Sequence, residues 1–186
     1  MEIHAAIPAS EILVKQCIEG DASSYRVLYE RYSKAMFNTT LRIVNRVADA
    51  EDVLQDSFTD AFMQLSSFEN KSTFGAWLKQ IVIFKSINFL KKQKLQFVDM
   101  EMAEDLEEDE QLDDSEIWYT VESIRRTMKE LPDGYRTVLS LYLFEGYDQE
   151  EIAEILGVAH ATVRTQYIRA KQKLLNLLKK REVYEQ

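Results

Sequence analysis

GYDQEEIAEILGVAHATVRTQYIRAKQKL, residues 146–174, carries the pattern of two helices joined at a glycine. Asp148 is placed to cap a helix, with Glu151 three residues later reaching back to the cap backbone. Ile152, Ala153, Ile155 and Leu156 supply an apolar stripe, and Gly157 permits a left-handed turn into a second helix. In that helix Val163, Tyr167, Ala170 and Leu174 recur at helical spacing and are expected to face a core. The opposite face carries Thr162, Thr165, Gln166, Arg169 and Lys173, flanked by Arg164 and Lys171, with His160 at its start. A helix divided in this way fits the major groove, its donors meeting base edges and phosphates. The pattern predicts a helix-turn-helix.

The composition suits an all-helical protein. The chain has 186 residues, 46% of them apolar, with only five Gly and two Pro to make turns. Its one cysteine, Cys17, excludes an internal disulfide or a Cys-based zinc framework. No apolar run approaches the roughly 20 residues that span a bilayer, and the N-terminus lacks the pattern of a secretory signal. A soluble, cytoplasmic protein is expected.

The net charge of −9 is unevenly placed. Residues 1–98 hold 12 Lys+Arg against 11 Asp+Glu, and residues 117–186 hold 11 against 10. Between Asp99 and Glu116 there are 11 acidic residues and no basic one. The low isoelectric point therefore reports one acidic segment and does not oppose DNA binding elsewhere. Residues 99–116 are too polar to repay the entropy of ordering, which predicts a flexible linker between domains 1–98 and 117–186. Two roles stay open for it: a solvated spacer, or a nucleic-acid mimic lying on basic surfaces.

In the first domain, Ser10 is read as capping a short helix to Ile18, with Gly20 ending it and Asp21 capping the next. Helical period runs from Tyr25 through Val44. Asp49 is expected to open a helix that buries Val53, Leu54, Phe58, Ala61, Phe62 and Leu65. Its outer face bears Asp52, Gln55, Asp56, Thr59 and Asp60. After an irregular stretch, a long helix is expected from Phe74 to Lys94, with Phe68, Phe74 and Trp77 favoured as core. In the second domain the period returns at Ile117, Val121, Ile124, Met128 and Leu131. Pro132 either breaks that helix or starts the next, in which Tyr135, Val138, Leu139, Tyr142 and Leu143 are expected inside.

Two distant segments carry a resemblance when read together. DAEDVLQDSFTDAFMQLSSFENKSTFGAWLKQI (49–81) and LPDGYRTVLSLYLFEGYDQEEIAEILGVAHATVRTQYIRAKQKL (131–174), in this order and across an acidic linker, resemble the extracytoplasmic-function group of bacterial sigma factors. The resemblance implies a polymerase specificity subunit that binds core RNA polymerase and promoter DNA. Its first domain would read and help melt a −10-like element, and its second would read a −35-like element.

By the same resemblance, Asp52, Gln55 and Asp56 match the helix that docks on the polymerase, where carboxylates can pair with Arg or Lys. Asn70, Lys71, Ser72 and Thr73 match a loop that captures an unstacked base, and Lys85, Asn88, Lys91 and Lys92 match a promoter-contacting helix surface. His160, Thr162, Arg164, Thr165, Gln166, Arg169, Lys171 and Lys173 become the −35 readers. Family members are commonly restrained by an anti-sigma factor, a further partner the resemblance allows.

The chain departs from the family pattern in both domains. Phe84 and Asn88 stand where Asn and Asp are usual, and Gln166 and Ile168 where basic and polar residues are usual. Gln pairs with adenine where Arg prefers guanine, which points to a shifted −35 preference. Ala159 also lacks the side-chain oxygen of a good helix cap.

Catalysis is not expected. The only histidines are His4 and His160, and the chain has no glycine-rich phosphate loop, no HExxH and no nucleophile with a recognisable base. The acidic segment lacks the alternating ligands and turn glycine of a calcium loop, so neither metal, cofactor nor small-molecule substrate is implied. The competing reading is a dimeric helix-turn-helix regulator, which leaves residues 49–81 unexplained.

Overall fold

The computed structural model describes residues 9–69, 71–93 and 120–184. The expected linker at 99–116, together with His4, Asn70, Lys94 and Ile117, lies outside the described residues. Among those described there are eight α-helices and no strand, and the chain divides into two compact units, Met1–Phe89 and Leu90–Gln186.

The first unit contains α1 (Ser10–Ile18), α2 (Ala22–Val44), α3 (Val47–Met63), a 3-10 turn (Leu65–Ser67) and most of α4 (Phe74–Lys92). Leu13, Leu28, Phe58, Phe74, Leu78 and Val82 from its four helices meet in one buried core. Aromatic rings form one part of it. Phe68, Phe74 and Trp77 lie pairwise 5.3–6.0 Å apart, and Tyr32 stands edge-on to Phe74. Such pairs contribute beyond the area they bury, and all three favoured core aromatics take part. Close approach at this point depends on Gly75, because a Cβ there would come within 2.7 Å of the Tyr32 ring.

Helix boundaries in this unit follow the sequence signals in some places and depart from them in others. The Asp21 carboxylate caps α2 by accepting from the Ser23 amide, as expected. Ser10 does not cap α1. It lies inside the first turn, where its Oγ pairs with the Tyr32 hydroxyl at 2.8 Å and accepts from Arg31 at 2.7 Å. Nor does Asp49 open α3. That helix begins at Val47, and Asp49 sits in its first turn beside Arg46, 3.4 Å away. A carboxylate at this point also complements the positive end of the helix dipole.

The second unit contains α5 (Val121–Met128), α6 (Asp133–Leu143), α7 (Gln149–Leu156) and α8 (His160–Tyr184). Helices α5, α6 and α7 all pack on α8. Met128, Leu131, Tyr135 and Leu139 meet Ala170, Leu174 and Leu178 in its core. Pro132 ends the preceding turn and serves as the N-cap of α6. Buried Arg136 donates to the Leu131 carbonyl at 2.9 Å and pairs with Asp133, which fixes the entry to α6. Two expected core residues of α6 face outward: Tyr142 and Leu143 are 38% and 49% exposed, while Leu141 is fully buried. Val121 is likewise exposed, at 64%, because it forms the first position of α5 behind the Thr120 cap.

Candidate nucleic-acid interface

Helix α7, its turn and α8 form the predicted helix-turn-helix. The Asp148 carboxylate accepts from the Glu150 and Glu151 amides at 2.9 Å, and Glu151 accepts from the Asp148 amide at 2.8 Å. This reciprocal box satisfies three amides that would otherwise lack partners. Gly157 closes the helix at φ 70°, a left-handed conformation that costs a residue bearing a Cβ about 1–2 kcal/mol. Ala159 accepts the first α8 amides through its carbonyl, from Thr162 at 3.0 Å and Val163 at 3.3 Å.

Val163, Ala170 and Leu174 of α8 are buried and Tyr167 is half-buried, as the period predicted. Tyr167 stacks against Tyr142 at 4.7 Å. Burial first, and then Tyr142, raise its hydroxyl above the ordinary tyrosine value, so it remains neutral at physiological pH. His160, Arg164, Thr165, Arg169 and Lys171 are exposed, while Thr162 and Lys173 are half-buried. Arg164, Arg169 and Lys171 form no ion pair among the described residues, which leaves three cations turned to solvent on one helix.

Gln166 does not belong to that face. It is only 6% exposed. Position 166 lies three residues after Val163 and four before Ala170, so helical geometry places it in the buried stripe whatever its polarity. The expectation that it reads adenine therefore loses its geometric basis. Ile168, in contrast, is 56% exposed.

In the first unit, Asp52, Gln55 and Asp56 project together from the exposed side of α3, alongside Glu51 and Thr59. Lys71 is exposed and paired with Glu69. Ser72 is exposed, and the Thr73 hydroxyl accepts from the Ala76 amide at 3.2 Å, which caps α4. Lys85 pairs with Asp60 across α3 and α4, so part of its charge is met inside the unit. Asn88 is half-buried, and Lys91 and Lys92 are exposed in the last turn of α4. Phe84, which stands where the family usually has Asn, is 62% exposed in the middle of α4. Its position between exposed Gln80 and half-buried Asn88, four residues away on either side, was the available signal.

The fold and this exposed cationic helix define a two-unit, all-helical DNA-binding protein of the helix-turn-helix class. The families described as "Sigma-70 region 2" and "Sigma-70, region 4" match residues 28–96 and 121–174. RNA polymerase sigma-H factor of Pseudomonas aeruginosa is 30% identical over 171 residues, covering 86% of this chain and 89% of that protein. ECF RNA polymerase sigma-E factor of Haemophilus influenzae is 29% identical, covering 89% and 93%. Among solved structures, CnrH in complex with the cytosolic domain of CnrY aligns with a TM-score of 0.55 and 24% identity, covering 92% of this chain and 98% of that one.

The chain belongs to the extracytoplasmic-function sigma factors of bacterial RNA polymerase. It is a transcription initiation factor that binds the polymerase and promoter DNA.

Proposed function

We propose that this sigma factor selects promoters through two elements and helps to melt them, with its two units dividing the work. The observation that carries the reading is the exposed face of α8, on which Arg164, Thr165, Arg169 and Lys171 stand clear of the buried stripe behind a capped turn. Set in a major groove, such a face brings hydrogen-bond donors to base edges and cations to phosphates. It reads a −35-like element, with His160, Thr162 and Lys173 at its margins.

The first unit supplies the other contacts. Asp52, Gln55 and Asp56 dock on cationic groups of the polymerase. Asn70, Lys71, Ser72, Thr73, Asn88, Lys91 and Lys92 meet the −10-like element, and Lys85 joins them by exchanging Asp60 for a phosphate. Capture of an unstacked base there favours the open duplex, which is how a subunit without catalytic chemistry assists melting. The polymerase performs the phosphoryl transfer. A protein partner that covers these surfaces, as the cytosolic domain of CnrY forms a complex with CnrH, is proposed as the restraint on this activity.

The test is run-off transcription on a genomic promoter library by bacterial core polymerase, with and without this protein. New start sites sharing a two-part upstream motif are expected. Failure to bind core, together with specific duplex binding by the protein alone, would replace this reading with a dimeric regulator.

A further inference from the structure

Ile168 is the exception on the exposed face of α8. Scattered apolar residues on a protein surface are ordinary, but this one is surrounded by polar neighbours that share its face. Arg164 lies four residues before it, Thr165 three before, Arg169 next to it and Lys171 three after, and all four are exposed. Thr165, Ile168 and Gln172 follow one another along the side of the helix opposite Val163, Ala170 and Leu174, whose exposures are 0%, 0% and 6%. Ile168 itself is 56% exposed. It therefore projects from near the centre of the cationic surface, in the third turn of the helix.

We infer that Ile168 is a specificity-determining residue that contacts the C5-methyl group of a thymine in the upstream promoter element. The inference rests on the reading of α8 as the helix that enters the major groove. Charge complementarity selects duplex DNA as the occupant, because three cations on this face, none ion-paired among the described residues, attract phosphates. Of the groups that the four bases present in the major groove, the thymine methyl is the apolar one. The N7, O6, O4 and amino groups beside it are hydrogen-bond acceptors or donors, which an isoleucine would leave unsatisfied. Ile is also restricted at χ1, so little side-chain freedom is lost when it is held against a methyl group. Specificity at this position is then carried by shape and desolvation, while Arg164 and Arg169 supply the charge-assisted contacts around it.

The experiment uses holoenzyme assembled from the full chain and bacterial core polymerase, on a promoter duplex selected with that holoenzyme. Each thymine of the upstream element is replaced singly by uracil, which removes the methyl group and keeps the pairing. Wild-type holoenzyme is expected to lose roughly fourfold in affinity at one thymine, the worth of one buried methyl group. Ile168→Ala should bind thymine and uracil probes alike at that position, and Ile168→Val should retain part of the preference. Upstream protection that is indifferent to every replacement, or an Ile168→Ala variant with the wild-type preference, would overturn the inference. Arg164→Ala tests the docking of α8 on DNA separately from the methyl contact. If the holoenzyme gives no upstream protection and Arg164→Ala changes nothing, the placement of α8 on DNA fails, and this inference fails with it.

Discussion

Helices α3 and α8 bury similar stripes and show solvent opposite charges. Inward, α3 presents Val53, Leu54, Phe58 and Ala61, and α8 presents Val163, Ala170 and Leu174. Outward, α3 presents Glu51, Asp52, Gln55 and Asp56, and α8 presents Arg164, Thr165, Arg169 and Lys171. The packing side answers to the core of each unit; the solvent side is unconstrained by the fold and can be matched to a partner. Carboxylates at these positions repel a phosphate backbone and attract cationic protein surface, and cations do the reverse. In the proposed function the same construction serves once for protein and once for DNA.

The largest break in this comparison comes from the core of the unit that carries the acidic face. Phe74 is fully buried and packs against Tyr32, Phe68 and Trp77. Phe74→Ala should lower stability by about 3–5 kcal/mol in denaturant unfolding and weaken polymerase binding with it. An unchanged midpoint would show that this aromatic cluster does not hold the unit together. Reversing the face itself, with Asp52→Lys and Asp56→Lys together, should leave the unfolding midpoint in place because both side chains are exposed. Core affinity should fall by about 2–3 kcal/mol, measurable by titration against labelled core polymerase.

The basic face yields smaller, additive effects. Arg164→Ala and Arg169→Ala should each weaken holoenzyme binding to promoter DNA by about 1–2 kcal/mol. For each that contacts a phosphate, the slope of log affinity against log salt should drop by about one. Gln166→Ala provides the contrast. Because Gln166 is buried, the change should cost about 1 kcal/mol of stability and leave base preference at the upstream element as it was. A changed preference in a binding-site selection would return Gln166 to the DNA surface.

The smallest effect is electrostatic and belongs to the first unit. Hydrogen bonds from Ser24 and then Ser23 hold the Asp21 carboxyl below its ordinary value. A lowered folded-state value means that the charged cap favours folding above the ordinary carboxylate range. That contribution fades as pH falls through the lowered value. Asp21→Asn should remove this share of the acid dependence of thermal stability. Parallel pH profiles for the two proteins would contradict the assignment.

The sequence announced what local chemistry decides. The Asp148–Glu151 box, the Gly157 turn and the Asp21 cap each involve residues within a few positions of one another, so spacing alone revealed them. Tertiary partners were hidden. Ser10 is taken up by Arg31 and Tyr32, more than 20 residues away, and Lys85 finds Asp60 across two helices. The polarity of Gln166 suggests an outward face, whereas 163, 166 and 170 share one buried face by period alone. In α6 the period itself is blurred, since Gly134 through Leu141 are all buried and the stripe has no clear edge.

The most direct test of the division between the two faces measures both partners on the same variants. Core binding and upstream promoter protection would be followed for Asp52→Lys/Asp56→Lys and for Arg164→Ala/Arg169→Ala. The α3 variant is expected to lose core binding, and the α8 variant to keep core binding while losing upstream protection. Loss of both properties in both variants, or of neither, would contradict it.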